Sequence, residues 1–259
     1  MSTSFQWENC TWQPVSGIPL TDRGFRHGMS AFETLRIHRG QLISLPEHLE
    51  KLRHACARLG LRIPPDFTAD FPTFPENGVA RIYVTAGDGS FRSPLNDGRI
   101  FLLTEEITTA RQPPRSLIIS TTQHTSLWPG LKTGNYWPHI EAYRNAAETR
   151  SDEVVLVNAS KHVVSASLAN LFAVIDDLLL TPRVSSGARA GVLRDWVMAR
   201  EDVIVSDFHP EQLAGASEIF LTNSGYGIAP IHTLSGKPLP SRALGEKIQS
   251  DYHHSLDKQ

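Results

Sequence analysis

The stretch 108–115 (TTARQPPR) divides the chain. Two adjacent prolines remove two backbone donors and bar the preceding residue from helix, so the stretch cannot run inside a helix or a central strand. With its two arginines and little apolar content it reads as a linker. At 259 residues the chain could form one large domain or two small ones, and either can bury a substantial core.

Both parts mix helical and strand patterns. Leu49, Leu52, Cys56 and Leu59 recur at three- and four-residue steps after Pro46, and Gly60 follows, so a helix is predicted there. Apolar runs at 80–85 (ARIYVT) and 100–104 (IFLLT) predict strands. Beyond the linker the pattern predicts a strand at 116–121, a helix over 137–150 with Pro138 in its first turn, and a hairpin-like series at 153–158, 163–164, 171–174 and 178–181. A helix over 191–200 and a strand at 218–222 leading into a turn at 223–227 complete the reading. The expectation is an α+β protein of two domains.

Composition excludes several classes. Hydrophobic residues at 40% and charged residues at 20% suit a soluble globular protein. A net charge of −2 offers no electrostatic ground for nucleic acid or an anionic membrane. Only Cys10 and Cys56 occur, too few for a disulfide framework or a cysteine-rich metal site. The N-terminal MSTSFQWENC lacks the basic-then-apolar pattern of a signal peptide, and no apolar run reaches the roughly 18 residues of a membrane span. A soluble cytoplasmic protein is expected, without a metal site. His253 and His254 have no further ligands at metal spacing and read as a solvated tail, and the GDG at 87–89 lacks the rest of a nucleotide-binding loop.

Eight local motifs go further. In chain order they are DRGFRHGMSAFETLR (22–36), LPEHLEKL (45–52), LKTGNY (131–136), DEVVLVN (152–158), ASLANLF (166–172), LLTPR (179–183), GVLR (191–194) and EIFLTNSGYGIAPI (218–231). Taken together they resemble the class IV enzymes of pyridoxal 5'-phosphate (PLP), which include branched-chain aminotransferases, D-amino-acid aminotransferases and aminodeoxychorismate lyases. The short chain is most similar to the lyase branch. The resemblance implies a smaller N-terminal domain (1–112), a larger C-terminal domain (113–259), PLP between them, a small-molecule amino substrate and a homodimer.

It also implies site residues. A lysine must condense with the cofactor aldehyde and then move protons at the substrate carbon. A loop lysine is ordinarily a solvated charge, but the LKTGNY context makes Lys132 the cofactor lysine. The phosphate calls for backbone N–H groups at a helix start and for hydroxyls. Gly191, Val192 and Leu193 match the first demand, and Thr222, Asn223 and Ser224 the second. Lys51 stands where relatives carry a phosphate-pairing arginine, keeping the charge but losing the bidentate fork. Ser165 stands where relatives place a glutamate against the pyridine nitrogen. No acidic residue lies between Glu153 and Asp176, so no small shift restores a carboxylate, and a weaker electron sink favours elimination over transamination. His27 aligns with a pocket tyrosine of relatives, and Arg36, Arg81 and Arg92 are candidates for a substrate carboxylate. Ala86 stands where some aminotransferases carry an arginine, which argues against a D-amino-acid aminotransferase. Glu33 and Thr34 are read as strand residues making local hydrogen bonds. The implied activity is that of a 4-amino-4-deoxychorismate lyase of folate biosynthesis. The alternatives are an amino-acid aminotransferase and a degenerate binder without turnover.

Overall fold

The structure is a computed structural model that describes residues 2–64, 66–68, 70–95, 98–107, 113–124 and 128–258. It divides into two compact units. One comprises Met1–Ala110 with Leu131–Asn135, the other Arg111–Gly130 with Tyr136–Gln259. Most of the linker, 108–112, lies outside the described residues.

Among its described residues the first unit carries β1 (Ser2–Glu8), β2 (Thr11–Pro14), α1 (Arg23–His27), β3 (Ser30–His38), β4 (Gln41–Leu42), α2 (Leu45–Leu59), β5 (Asn77–Thr85) and β6 (Arg99–Glu106). The strands form one antiparallel sheet in the order β2-β1-β6-β5-β3-β4. Strand β3 alternates as a half-buried strand should. Ala31, Glu33, Leu35 and Ile37 are buried, while Phe32, Thr34, Arg36 and His38 are partly exposed on the other face. Helix α2 buries Leu49, Leu52, Ala55 and Cys56 against this core, as its spacing predicts. It ends at Gly60, whose φ of 71° is the left-handed conformation that glycine adopts freely.

The segment 131–135 belongs to this unit rather than to the larger second one, in which a division at 112/113 places it. The reason is backbone pairing: Phe32 N donates to Lys132 O at 3.1 Å, Gly134 N donates to Ser30 O at 3.0 Å, and Thr133 bridges Ala31. Leu131 packs on the first unit's core.

The second unit holds β7 (Ser116–Gln123), α3 (Trp137–Glu148), β8 (Glu153–Val157), β9 (Val163–Ala166), β10 (Asn170–Ile175), β11 (Leu178–Thr181), α4 (Val192–Met198), β12 (Val203–Val205), α5 (Pro210–Ala214), β13 (Glu218–Asn223), β14 (Gly227–Pro230), β15 (Thr233–Leu234), β16 (Lys237–Pro238) and α6 (Ala243–Leu256). They form two sheets, β12-β11-β10-β13-β14 and β16-β15-β7-β8-β9. The hairpin-like series at 153–181 is therefore split. Strands β8 and β9 pair in one sheet and β10 and β11 in the other, and β7 runs parallel to β8 across α3. All five residues of β8 are buried, which hides the alternation that marks a one-sided strand.

The C-terminal histidines are not on a tail. They are exposed on α6, which buries Gly245, Ile248, Tyr252 and Leu256 at helical spacing. No helix among the described residues is long and apolar enough to cross a membrane.

Candidate active site

Lys132 projects from the segment bridged to β3. Its Nζ lies 5.4 Å from the centroid of the Phe32 ring, and it forms no ion pair among the described residues. Phe32 in turn stacks on Tyr83 at 5.3 Å. Strand register puts Phe32 opposite Tyr83, Thr34 opposite Arg81 and Arg36 opposite Val79. Directly paired residues share a face, so Arg36 and Arg81 lie on the partly exposed face that carries Phe32. Arg81 is already paired with Glu105.

The other first-unit candidates are dispersed. Lys51 is partly buried on α2, and His27 is exposed in the last turn of α1. Arg92 is exposed, its guanidinium 5.3 Å from the centroid of the equally exposed Phe91 ring. Glu33 accepts from His48 Nδ1 at 2.8 Å inside the core, a local bond of the kind read from the sequence.

The loop holding Arg92 is clamped by the 22–24 motif. Arg23 is fully buried. Its guanidinium donates to the carbonyls of Gly87 (3.2 Å), Ser93 (2.9 Å), Pro94 (3.1 Å), Ser90 (3.5 Å) and Ala86. Asp22, also fully buried, accepts from Gly24 N (2.7 Å), Thr85 Oγ1 (2.8 Å) and Arg99 (3.0 Å).

In the second unit, Gly191 caps the start of α4 with no side-chain cap, so the first-turn N–H groups of Val192 and Leu193 have no side-chain acceptor at the cap. A β-carbon at 191 would collide with Asn170 Oδ1, so glycine is required by close approach. Asn170 Nδ2 donates to Arg189 O at 2.7 Å. Thr222, the last residue but one of β13, has a buried hydroxyl with no hydrogen-bond partner among the described residues. The Asn223 side chain is used within the turn, donating to Leu168 O and accepting from Gly225 N at 2.7 Å. Asn223 can therefore offer a ligand its backbone rather than its amide. Ser165 is buried, and its hydroxyl donates to Ala166 O at 2.8 Å.

One cluster was not foreseen. The Arg189 guanidinium donates to the Tyr136 hydroxyl and lies 4.4 Å from the centroid of that ring. Its Nη2 is 3.3 Å from His139 Nε2. His139 Nδ1 is 2.9 Å from Ser167 O, and the His124 ring is 4.6 Å away. Burial first, then the charge of Arg189, lowers the His139 pKa to about 3 and pushes His124 down as well. Glu153 anchors the far end. Its carboxylate accepts from the Ser167 hydroxyl, Ser167 N (3.1 Å), Val154 N (2.9 Å) and Leu168 N (3.3 Å). Burial raises its pKa against those donors. No periodicity joins 124, 136, 139, 153 and 189. The only signals were positional, Tyr136 closing the LKTGNY motif and Arg189 standing two residues before Gly191.

A family model described as Amino-transferase class IV matches residues 30–234. The chain belongs to the class IV aminotransferases. Aminodeoxychorismate lyase of Vibrio harveyi is 25% identical over 241 residues, covering 86% of this chain and 89% of the relative. The 4-amino-4-deoxychorismate lyase from Pseudomonas aeruginosa has a TM-score of 0.81 at 23% identity over 99% of this chain and 100% of its own. The branched-chain aminotransferase from Thermoproteus uzoniensis, solved with norvaline, has a TM-score of 0.87 at 18% identity over 98% and 94%. At these identities the two structures establish the fold, that of the fold-type IV PLP enzymes.

Class IV aminotransferases are PLP-dependent enzymes, and this member's residues fit the group. The Thr222 hydroxyl is a buried donor lacking an acceptor among the described residues, which a phosphate oxygen would supply. The glycine at 191 and the absence of a side-chain cap on α4 leave backbone donors that also suit phosphate oxygens. Lys132 has an amine not claimed by a carboxylate among the described residues. Ser165, the residue expected against the ring nitrogen, carries no negative charge.

Proposed function

We propose that this class IV enzyme is a 4-amino-4-deoxychorismate lyase, releasing pyruvate and leaving 4-aminobenzoate. Lys132 carries the reading. It is a lysine in the LKTGNY context whose amine lies over Phe32 without an ion pair among the described residues. The lyase of Vibrio harveyi, matched over most of both chains, and the loss of the carboxylate at Ser165 support the finer assignment.

Lys132 would hold the cofactor through its aldehyde carbon. Gly191, Val192 and Leu193 would bind the phosphate through backbone N–H groups, with Thr222, Asn223 and Ser224 adding hydroxyl and backbone donors and Lys51 a compensating charge. PLP, when bound, supplies an electron sink for the bond broken at the amine-bearing carbon. The Lys132 amine would take the proton from that carbon as the C–O bond to the enolpyruvyl group breaks, and would return a proton to the released portion to give pyruvate. Ser165, with its hydroxyl proton directed at Ala166 O, leaves no fixed anion to keep a pyridine nitrogen protonated. His27, Arg36, Arg81 and Arg92 remain proposed substrate contacts, Arg36 and Arg81 sharing one face of the sheet. The reading makes the protein a cytoplasmic homodimer of folate biosynthesis. Transamination of an amino acid is the second reading, favoured by the likeness to the Thermoproteus uzoniensis branched-chain aminotransferase.

The test is an absorbance spectrum of the protein with PLP before and after borohydride, then incubation with 4-amino-4-deoxychorismate or with L-amino acids. A visible band abolished by reduction and absent from Lys132→Ala, with pyruvate and 4-aminobenzoate formed together, is the expected result. A keto acid formed from an amino acid at a higher rate moves the assignment to transamination. The same band in Lys132→Ala removes the lysine from its role.

A further inference from the structure

We infer that Arg189, seated on Tyr136 and His139, is a recognition site for an anionic oxygen. This rests on the active-site reading above and extends it to a residue outside the family motifs.

The argument begins with charge. Among the described residues Arg189 has no carboxylate within ion-pair distance, and its hydrogen bonds go to two neutral partners, the Tyr136 hydroxyl and the His139 ring. An arginine presents five N–H donors, more than these two bonds use, on a residue that is only partly exposed. A partly buried cation left without an anion is costly, and a ligand anion removes that cost.

Geometry shows that the guanidinium is held rather than free. The neutral His139 ring is oriented by Ser167 O at 2.9 Å, which places its proton on Nδ1 and leaves Nε2 as acceptor toward Arg189. Ser167 is itself held by Glu153 through both its amide and its hydroxyl. The Tyr136 ring, stacked on His139 at 5.0 Å between centroids, carries the guanidinium 4.4 Å from its own centroid. The fork is thus held on a pair of stacked rings by two hydrogen bonds and a ring contact, with further N–H donors available for bidentate binding of an oxyanion.

Location supplies the last element. Arg189 lies two residues before Gly191, and its carbonyl is fixed by Asn170, the residue that requires glycine at 191. Tyr136 follows Lys132 by four residues. The shared chemistry is an oxyanion, either a carboxylate of the substrate or an anionic oxygen of the cofactor, and the measurement separates the two.

Two affinities are measured on the wild type, Arg189→Gln, Arg189→Lys and Tyr136→Phe. One is for PLP, by spectroscopic titration. The other is for benzoate as carboxylate probe, by calorimetry on the cofactor-loaded protein or, where no cofactor binds, on the protein as purified. In Arg189→Gln we expect one of the two to weaken by about tenfold or more, the scale of one charge-assisted bond, with Arg189→Lys intermediate and Tyr136→Phe weakened severalfold. Weakened benzoate binding with PLP unchanged assigns the site to substrate, and the converse assigns it to cofactor. Unchanged affinities for both in folded Arg189→Gln, or in Tyr136→Phe and Arg189→Lys where the glutamine variant does not fold, overturn the inference. A wild type that binds no PLP removes the active-site reading instead, and the benzoate arm still decides on Arg189.

Discussion

Glu153 holds Ser167 twice, accepting from its backbone N–H at 3.1 Å and from its hydroxyl. The pair spans β8 and the turn before β10, and Leu168 N adds a third bond from that turn at 3.3 Å. The turn therefore depends on one buried acceptor.

Replacing that acceptor by an amide tests the dependence. Glu153→Gln puts an NH2 where several donors already converge, so at least one buried donor loses its partner. We expect a loss of about 1–3 kcal/mol in urea unfolding, with the hydrogen-exchange protection of Ser167 and Leu168 reduced. Unfolding within about 0.5 kcal/mol of wild type would show that the turn does not need the carboxylate.

His139 makes stability depend on pH. Its folded pKa is about 3, below the ordinary histidine value of 6.5, because burial and the neighbouring Arg189 oppose a second charge. Between these values the unfolded chain binds a proton that the folded chain refuses. The stabilisation is thus complete above pH 6.5 and is lost as pH falls toward 3. One such proton contributes a slope of at most about 1.4 kcal/mol per pH unit. Melting curves of His139→Asn should fall less steeply than wild type over that acidic range. His124, lowered for the same reasons, adds to the wild-type slope and is retained in the variant. Parallel curves for the two proteins would remove His139 from the account.

Arg23 should govern the order of the 86–94 loop. Arg23→Met removes the donors to the carbonyls of Ala86, Gly87, Ser90, Ser93 and Pro94. The expected effect is about 3 kcal/mol or more of lost stability and new protease cleavage within the loop. Arg23→Lys keeps the charge but offers three donors in place of a planar fork, so its loss should be smaller. Cleavage patterns identical to wild type in both variants would contradict the clamp.

Parts of this protein were legible from its residues alone. Local spacing placed α2 and its stop at Gly60, the strand runs of β5 and β6, and the beginning of α3, because helix and strand periodicities are properties of neighbouring residues. The order of eight short motifs was enough for the class IV resemblance, with Lys132, Gly191 and Thr222 named as site residues. A local signal went unread: helix α6 has a clean helical stripe in Gly245, Ile248, Tyr252 and Leu256, which the histidine pair obscured.

Other features existed only once the chain had folded. The division of 153–181 between two sheets is decided by pairing, and β8, buried throughout, carries no alternation to announce its partner. The attachment of 131–135 to β3 depends on backbone bonds that no side chain encodes. Arg189 and Tyr136 are 53 positions apart, and Glu153 and Ser167 are 14. Hydrogen bonds at such separations leave no periodic trace, since their partners are selected by tertiary packing and by the cost of leaving buried polar groups unpaired.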